Sequence, residues 1–166
     1  MRTTRMGGLA AGVALVAVPG AAIAAAVMVV HGHGPTVVHD PVYAGVTTQV
    51  HAWTRDGETT VRLMADGLTP GRTYGAHVHK APCGSDPLAS GGHYQHSTDT
   101  SIPLSEREVW LDLTAGADGH AATSVTVPWV IVPGTAGSVV IHANPTNPVT
   151  GAAGPRLMCT TVPFGE

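Results

Sequence analysis

The residues best suited to chemistry in this chain are histidines, and two of them stand two positions apart in Gly75-Ala76-His77-Val78-His79. The setting predicts a β-strand, where side chains at i and i+2 leave the same face, so two imidazole donors converge without any loop having to be ordered. Further histidines follow in Gly91-Gly92-His93-Tyr94 and Val139-Val140-Ile141-His142-Ala143. All-imidazole ligation suits Cu(II), Zn(II) or Ni(II), and the affinity order among divalent ions puts copper first. Spacing alone leaves the choice of metal open.

Such a cluster needs a rigid frame, and the residue pattern supplies one. Strands are predicted over 45–53, 59–65, 73–80, 108–114, 121–129, 138–143 and 156–162, with turns at Asp56-Gly57, Asp66-Gly67 and Asp118-Gly119. Alternation is clear in Val109-Trp110-Leu111-Asp112-Leu113 and in Thr123-Ser124-Val125-Thr126-Val127. With 21 glycines, 13 prolines, 11% charged and 4% aromatic residues, the composition is one of short strands and many turns. The expected fold is all-β, a Greek-key sandwich or barrel of about eight strands. Two long connections, 81–107 and 144–155, interrupt it, and long loops in a compact β domain are often functional. The first carries Cys83 and His93, and the second joins His142 to Arg156.

Arg2 and Arg5 precede a stretch, 6–30, with no charged residue. It is rich in Ala, Gly and Val, is interrupted by Pro19-Gly20, and offers Ala22, Ala24 and Ala26 as cleavage positions. Residues 1–30 therefore read as a secretory signal peptide, with an uncleaved membrane anchor as the alternative. Both place the remainder outside the cytoplasm, secreted or in the cell envelope, and an anchor is the only membrane contact expected. Residues 31–42 lack periodicity and read as a linker whose His31, His33 and His39 form a solvated tail, and 43–166 are the domain. Loss of Arg2 and Arg5 takes the formal charge from −3 to −5, and no basic patch offers a surface to nucleic acid. Two cysteines, Cys83 and Cys159, are an even count in an exported chain, which favours one disulfide over two buried thiols.

In order and approximate spacing, five segments resemble the copper,zinc superoxide dismutase family: Gly67-Leu68-Thr69-Pro70-Gly71, Gly75-Ala76-His77-Val78-His79, Gly92-His93, Val140-Ile141-His142-Ala143 and Arg156-Leu157-Met158-Cys159. The resemblance spans residues 45–163 and implies that His77, His79, His93 and His142 are copper ligands. It likewise implies that Cys83 and Cys159 are the bonded pair and that Arg156 draws superoxide toward copper. His93 would leave the reduced metal and carry one proton.

The family's zinc site is not matched. Between His93 and Glu108 the only further histidine is His96, and Asp99 and Asp112 lack the family's spacing relative to a histidine. Zinc is not expected, and the pattern is closer to the copper-only members. Some other group must then hold the copper ligands, because a ligating imidazole donates its second N–H to a carboxylate or carbonyl. Glu106, Glu108 and Asp112 are nearest, and Glu108 and Asp112 share a face of their predicted strand; solvated edge carboxylates are the alternative. His96 is expected to be exposed or to orient a ligand, while His51 and His120 belong to the surface. Residues 143–155 carry no charge, unlike the charge-rich guiding loop of the two-metal enzymes. The expected function is an exported copper-dependent superoxide dismutase, converting superoxide to oxygen and hydrogen peroxide. The alternative is a non-catalytic copper-binding or copper-delivery protein on the same scaffold.

Overall fold

The computed structural model describes residues 36–164. Its longest pairing joins β2 (Thr47–Arg55) to β3 (Glu58–Asp66) through the two-residue turn Asp56-Gly57, where both residues have positive φ. That turn matches the twist of the strands it connects, and Asp-Gly is among the few pairs that adopt it without strain. The period of two then decides what is buried. Val50 and Ala52 face Leu63 and Val61 across the pair, all fully buried, while Gln49 and Arg62 point to solvent. Strand β7 (Ala121–Val127) pairs with the other edge of β3 and completes a three-stranded sheet.

The second sheet has the order β1-β9-β8-β5, with every neighbour antiparallel. Its strands are β1 (Thr36–Val38), β5 (Ala76–His79), β8 (Ser138–His142) and β9 (Arg156–Thr161). A short pair, β4 (Thr73–Tyr74) with β6 (Leu113–Thr114), lies outside both sheets. Val50, Val61 and Leu63 from one sheet and Val78, Ile141 and Met158 from the other fill the core, with Tyr74, Leu111 and Phe164. The architecture is thus a β-sandwich whose sheets do not close into a barrel, which resolves the sandwich-or-barrel expectation.

Three segments depart from the sequence reading. The strand expected over 73–80 breaks at Gly75, where a Cβ would lie 2.6 Å from the Ala153 Cβ and 2.8 Å from both Asn144 O and Thr146 Oγ1. Gly75 turns its backbone to the second long loop instead, donating to Asn144 O, while its carbonyl accepts from the His142 N–H. The strand expected over 108–114 is regular only at Leu113–Thr114. Upstream of it, one bridge between Trp110 and His77 and the bonds Val78 N–H to Val109 O and Leu111 N–H to Ala76 O hold the chain beside β5. The linker expected over 31–42 is also corrected: Thr36–Val38 is an edge strand on β9, and Pro41–Tyr43 is a 3₁₀ turn. β-Branched residues suit such an edge, and Thr36 is fixed there by a hydroxyl contact of 2.7 Å to Thr48, which in turn bonds Thr160. The leader, 1–30, and the rest of the linker, 31–35, lie outside the described residues.

A disulfide between Cys83 and Cys159, with Cα atoms 5.7 Å apart, ties the first long loop to β9. Cross-linking of this kind typically stabilises by about 2–4 kcal/mol. The same loop is held by the Ser138 hydroxyl donating to Ala81 O and by Cys83 N–H donating to Thr161 Oγ1. Gly137 permits this approach, since a Cβ there would come within 2.6 Å of the Ala81 carbonyl carbon and Pro82 N. The first long loop is thereby anchored to β8 and β9, beside the edge strand β5 that carries the histidine pair.

Candidate metal centre

Alternation along β5 sends Ala76 and Val78 into the core and His77 and His79 to the opposite face, where both rings are fully buried. His93 is brought beside them by an isolated antiparallel bridge to His79. His142 arrives from the end of β8, just past a register shift between Ile141 and His142. The extra residue is Leu157 on β9, so alternation along β8 is kept: Ile141 stays in the core, while His142 falls on the face of the histidines. One donor nitrogen from each of the four rings lies within 4.8 Å of the others. His77 and His93 have ring centroids 4.0 Å apart, and His77 and His142 5.0 Å.

Hydrogen-bond bookkeeping fixes which nitrogens face inward. His79 Nδ1 lies 3.0 Å from Gly91 O and His142 Nδ1 lies 3.0 Å from Gly154 O. Carbonyl oxygens only accept, so both rings carry their proton on Nδ1 and leave Nε2 bare. His93 Nδ1 donates to Glu108 Oε2 at 2.9 Å, which leaves its Nε2 bare as well. His77 is reversed, with Nε2 2.7 Å from the Thr146 hydroxyl and a buried Nδ1 that has no partner. The bare Nε2 atoms of His79 and His142 face each other at 3.3 Å. Two lone pairs at that distance repel, and an orphaned buried nitrogen is costly. A cation among the four nitrogens would relieve both. Metal–imidazole bonds are about 2.0–2.1 Å, which puts opposite donors about 4 Å apart, so the set fits a nitrogen-ligated metal with small adjustment.

Electrostatics keep His77, His79 and His142 neutral, the form in which an imidazole can ligate a metal. Burial pushes the His77 pKa down to about 2, with His93, His142 and His79 adding to the effect. Burial likewise takes His79 to about 3 and His142 to about 4, against the opposing pull of the Gly91 and Gly154 carbonyls. In the metal-free protein these groups bind protons in the unfolded chain before the folded one, so stability is complete above pH 6.5 and falls as pH drops toward 4. At about pH 5 each of the three imidazoles withdraws on the order of 2 kcal/mol. Thermal melts of metal-free protein should therefore drop steeply between neutral pH and pH 5, and a flat profile would contradict the neutral, buried assignment.

Around the rings stands a shell of fixed partners. Glu108, with its side chain 2% exposed, accepts from His93 Nδ1, from Gln95 Nε2 at 2.7 Å and from Trp110 Nε1 at 2.7 Å. Burial alone would raise its pKa, but these three donors outweigh that and hold the carboxyl below the usual range. Arg107 supports the arrangement by donating to Gln95 Oε1. Asp112 serves His77 indirectly, through Thr146. Both carboxylates singled out by their shared face thus reach the histidines, by different routes, whereas Glu106 stays exposed. Gln95, Trp110 and Thr146 escaped the sequence reading. Trp110 had a signal, since it alternates with Glu108 and Asp112, but Thr146 had none.

Arg156 lines one wall of a cleft of about 600 Å³ whose floor includes His93 and His142. Its guanidinium donates from Nη1 to Pro87 O and Ser90 Oγ and from Nη2 to Gly91 O. Three of five N–H groups are engaged, leaving two for an anion. The Gly91 carbonyl is shared with His79, which ties the guanidinium to the histidine cluster. Arg156 is the only charged residue on that wall; Leu88, Ala152 and Pro155 make the rest apolar. His96 is exposed and stacks on Trp129 with centroids 3.9 Å apart. His120 pairs with Asp66 at the surface, and His51 is half-buried on β2.

Fold and site together define a β-sandwich protein with a four-histidine cluster, able to hold a metal ion, at the base of an open cleft. The profile of the copper/zinc superoxide dismutase (SODC) family matches residues 44–162, and the chain belongs to that family. Among solved structures, a SOD-like protein from Bacillus subtilis is similar with a TM-score of 0.62 and 17% identity, covering 81% of this chain and 99% of that one. The Cu/Zn superoxide dismutase from Brucella abortus is similar with a TM-score of 0.56 and 21% identity, covering 81% of this chain and 99% of its own. At such identities these likenesses speak to the fold alone. No curated protein sequence matches the chain significantly.

Proposed function

We propose that this protein is an exported, copper-dependent superoxide dismutase without zinc, with His77, His79, His93 and His142 as ligands. The observation that carries this reading is the four-ring arrangement, in which each outward nitrogen has a protein partner and each inward nitrogen is bare. Copper, when bound, supplies the one-electron couple by which one superoxide is oxidised to oxygen and a second reduced to peroxide. The residues supply the rest. Arg156 draws a small anion to the cleft floor with a permanent charge. His93 changes its proton count only at Nε2, because Nδ1–H stays with Glu108. Two superoxide anions and two protons are consumed for each oxygen and hydrogen peroxide released.

Glu108 supports the copper-only reading, since a carboxylate satisfied by three protein donors faces the outward nitrogen of His93. Export rests on the leader, 1–30, in which Arg2 and Arg5 precede the uncharged stretch 6–30, cleaved or retained as an anchor, and on a disulfide that suits an oxidising compartment. The deciding experiment is a superoxide assay on copper-loaded protein beside metal-free protein and free copper, with elemental analysis after exposure to both metals. Activity well above free copper with one copper and no stoichiometric zinc is the expected result. Tight copper without activity above free copper would hand the lead to the copper-carrier alternative, and two tightly held metals would end the copper-only reading.

Arg156 separates enzyme from carrier more finely. Arg156→Ala should lower turnover several-fold with copper affinity nearly unchanged, because the guanidinium lies beside the ligands without being one. Arg156→Lys should keep part of the rate, since charge persists while the fork is lost. Turnover should depend weakly on ionic strength, as residues 143–155 carry no charge to steer with. Stopped-flow rates and competition titrations at matched salt check this, and an Arg156→Ala protein as fast as wild type would remove the guiding role.

A further inference from the structure

His77 differs from the other three imidazoles in two ways. It presents Nδ1 inward, and its outward nitrogen meets a hydroxyl, not a carbonyl or carboxylate. A free hydroxyl can donate or accept and would leave the tautomer of its partner undefined. Here that freedom is removed. The single Thr146 hydroxyl proton goes to Asp112 Oδ1 at 2.5 Å, and Thr146 N–H donates to Asp112 Oδ2 at 2.8 Å. Only lone pairs remain for the ring, so His77 must donate from Nε2 and leave Nδ1 bare.

We propose that Thr146, locked by Asp112, is a positioning residue that fixes His77 as the Nε2–H tautomer and aims Nδ1 at the metal, coupling the loop 144–155 to the centre. Three placements converge on this. Thr146 lies 69 positions from His77 and reaches it because the loop is folded back onto β5. Gly75 leaves the space for that return, since a Cβ there would meet the Thr146 Oγ1 at 2.8 Å. The far end of the same loop holds His142 through Gly154 O. One loop therefore sets the orientation of two donors from two strands, and linkage makes the effect reciprocal: a metal bound by these rings must order the loop that orients them.

The inference rests on the copper reading above, so its test includes a readout in metal-free protein. Imidazole ¹⁵N shifts should show His77 protonated on Nε2 in the wild type and in Thr146→Ser. Thr146→Val should give a mixture of tautomers, weaken Cu(II) by about 10 to 100-fold, the usual loss when an outer partner of a ligand is removed, and change the Cu(II) EPR parameters. Thr146→Ser should restore affinity to within about threefold of wild type. Asp112→Asn should shift the tautomer in the same direction and, with Thr146→Ser, carries the test if Thr146→Val does not fold. An unchanged tautomer and unchanged Cu(II) affinity in the folded Thr146→Val protein, or in Asp112→Asn if it does not fold, would overturn the proposal. A tautomer shift in a protein that takes up no copper would support the relay and overturn the copper reading instead.

Discussion

Changing His142 to Ala should abolish dismutation and weaken copper by more than about 100-fold, beyond the upper end of what loss of an outer partner alone costs. His142 is the only one of the four donors supplied by β8, and among the described residues no fifth His, Cys, Asp or Glu joins the cluster to replace it. The metal-free fold should survive. The ring is buried but contributes little to the apolar core, which is built from Val78, Ile141 and Met158. Its removal also takes away one of two lone pairs facing each other at 3.3 Å. Melting of the metal-free variant should consequently match or exceed that of the metal-free wild type, while the stabilisation that copper brings to the wild type should vanish. Calorimetry with and without copper, together with EPR, checks both halves. Wild-type copper affinity in His142→Ala would remove the four-imidazole centre altogether.

The second large effect belongs to Glu108. Its carboxylate is the acceptor for three donors at once, from His93, Gln95 and Trp110. Glu108→Ala strands them in a site where the carboxylate was almost fully buried, and each unsatisfied buried donor costs about 1–3 kcal/mol. A loss of at least about 3 kcal/mol is therefore expected in the metal-free protein. Copper affinity should fall about 10 to 100-fold, since His93 loses the partner that fixes its tautomer. Glu108→Gln keeps the volume but turns an amide N–H toward one of the same donors, so it should recover only part of the loss. Denaturant titrations and copper competition provide the measurements. A Glu108→Ala protein with wild-type stability and affinity would show that the carboxylate has no hold on His93.

Local pattern carried a good deal of this. The i, i+2 spacing of His77 and His79 states that both rings leave one face, and the fold keeps that because a strand has a period of two whatever it pairs with. Asp56-Gly57 determined a two-residue hairpin, and with it the register of β2 on β3, for a reason confined to backbone φ. Glu108 and Asp112 were legible as candidates from their common face, although the segment is regular only near its end. The break at Gly75 was not legible, because the pattern on both sides reads as one strand; the residue is used for the room it leaves to Ala153 and Thr146. β1 was equally hidden, as three residues give no period and their pairing with β9 crosses more than a hundred positions.

What the sequence by itself determined, then, was the chemical inventory and the side of each strand on which it falls: four imidazoles, a cysteine pair, a guanidinium and two carboxylates. Tertiary structure decided how that inventory is wired. Whether Gly91 O or Gly154 O accepts from an imidazole, which nitrogen His77 turns inward, and that a threonine stands between His77 and Asp112 all depend on contacts between segments 12 to 69 residues apart. The physical reason is one of range. Strand periodicity and turn chemistry act over two to four neighbouring residues, whereas hydrogen-bond partners across a sandwich are set by the register of its sheets and by where loops can close without collision.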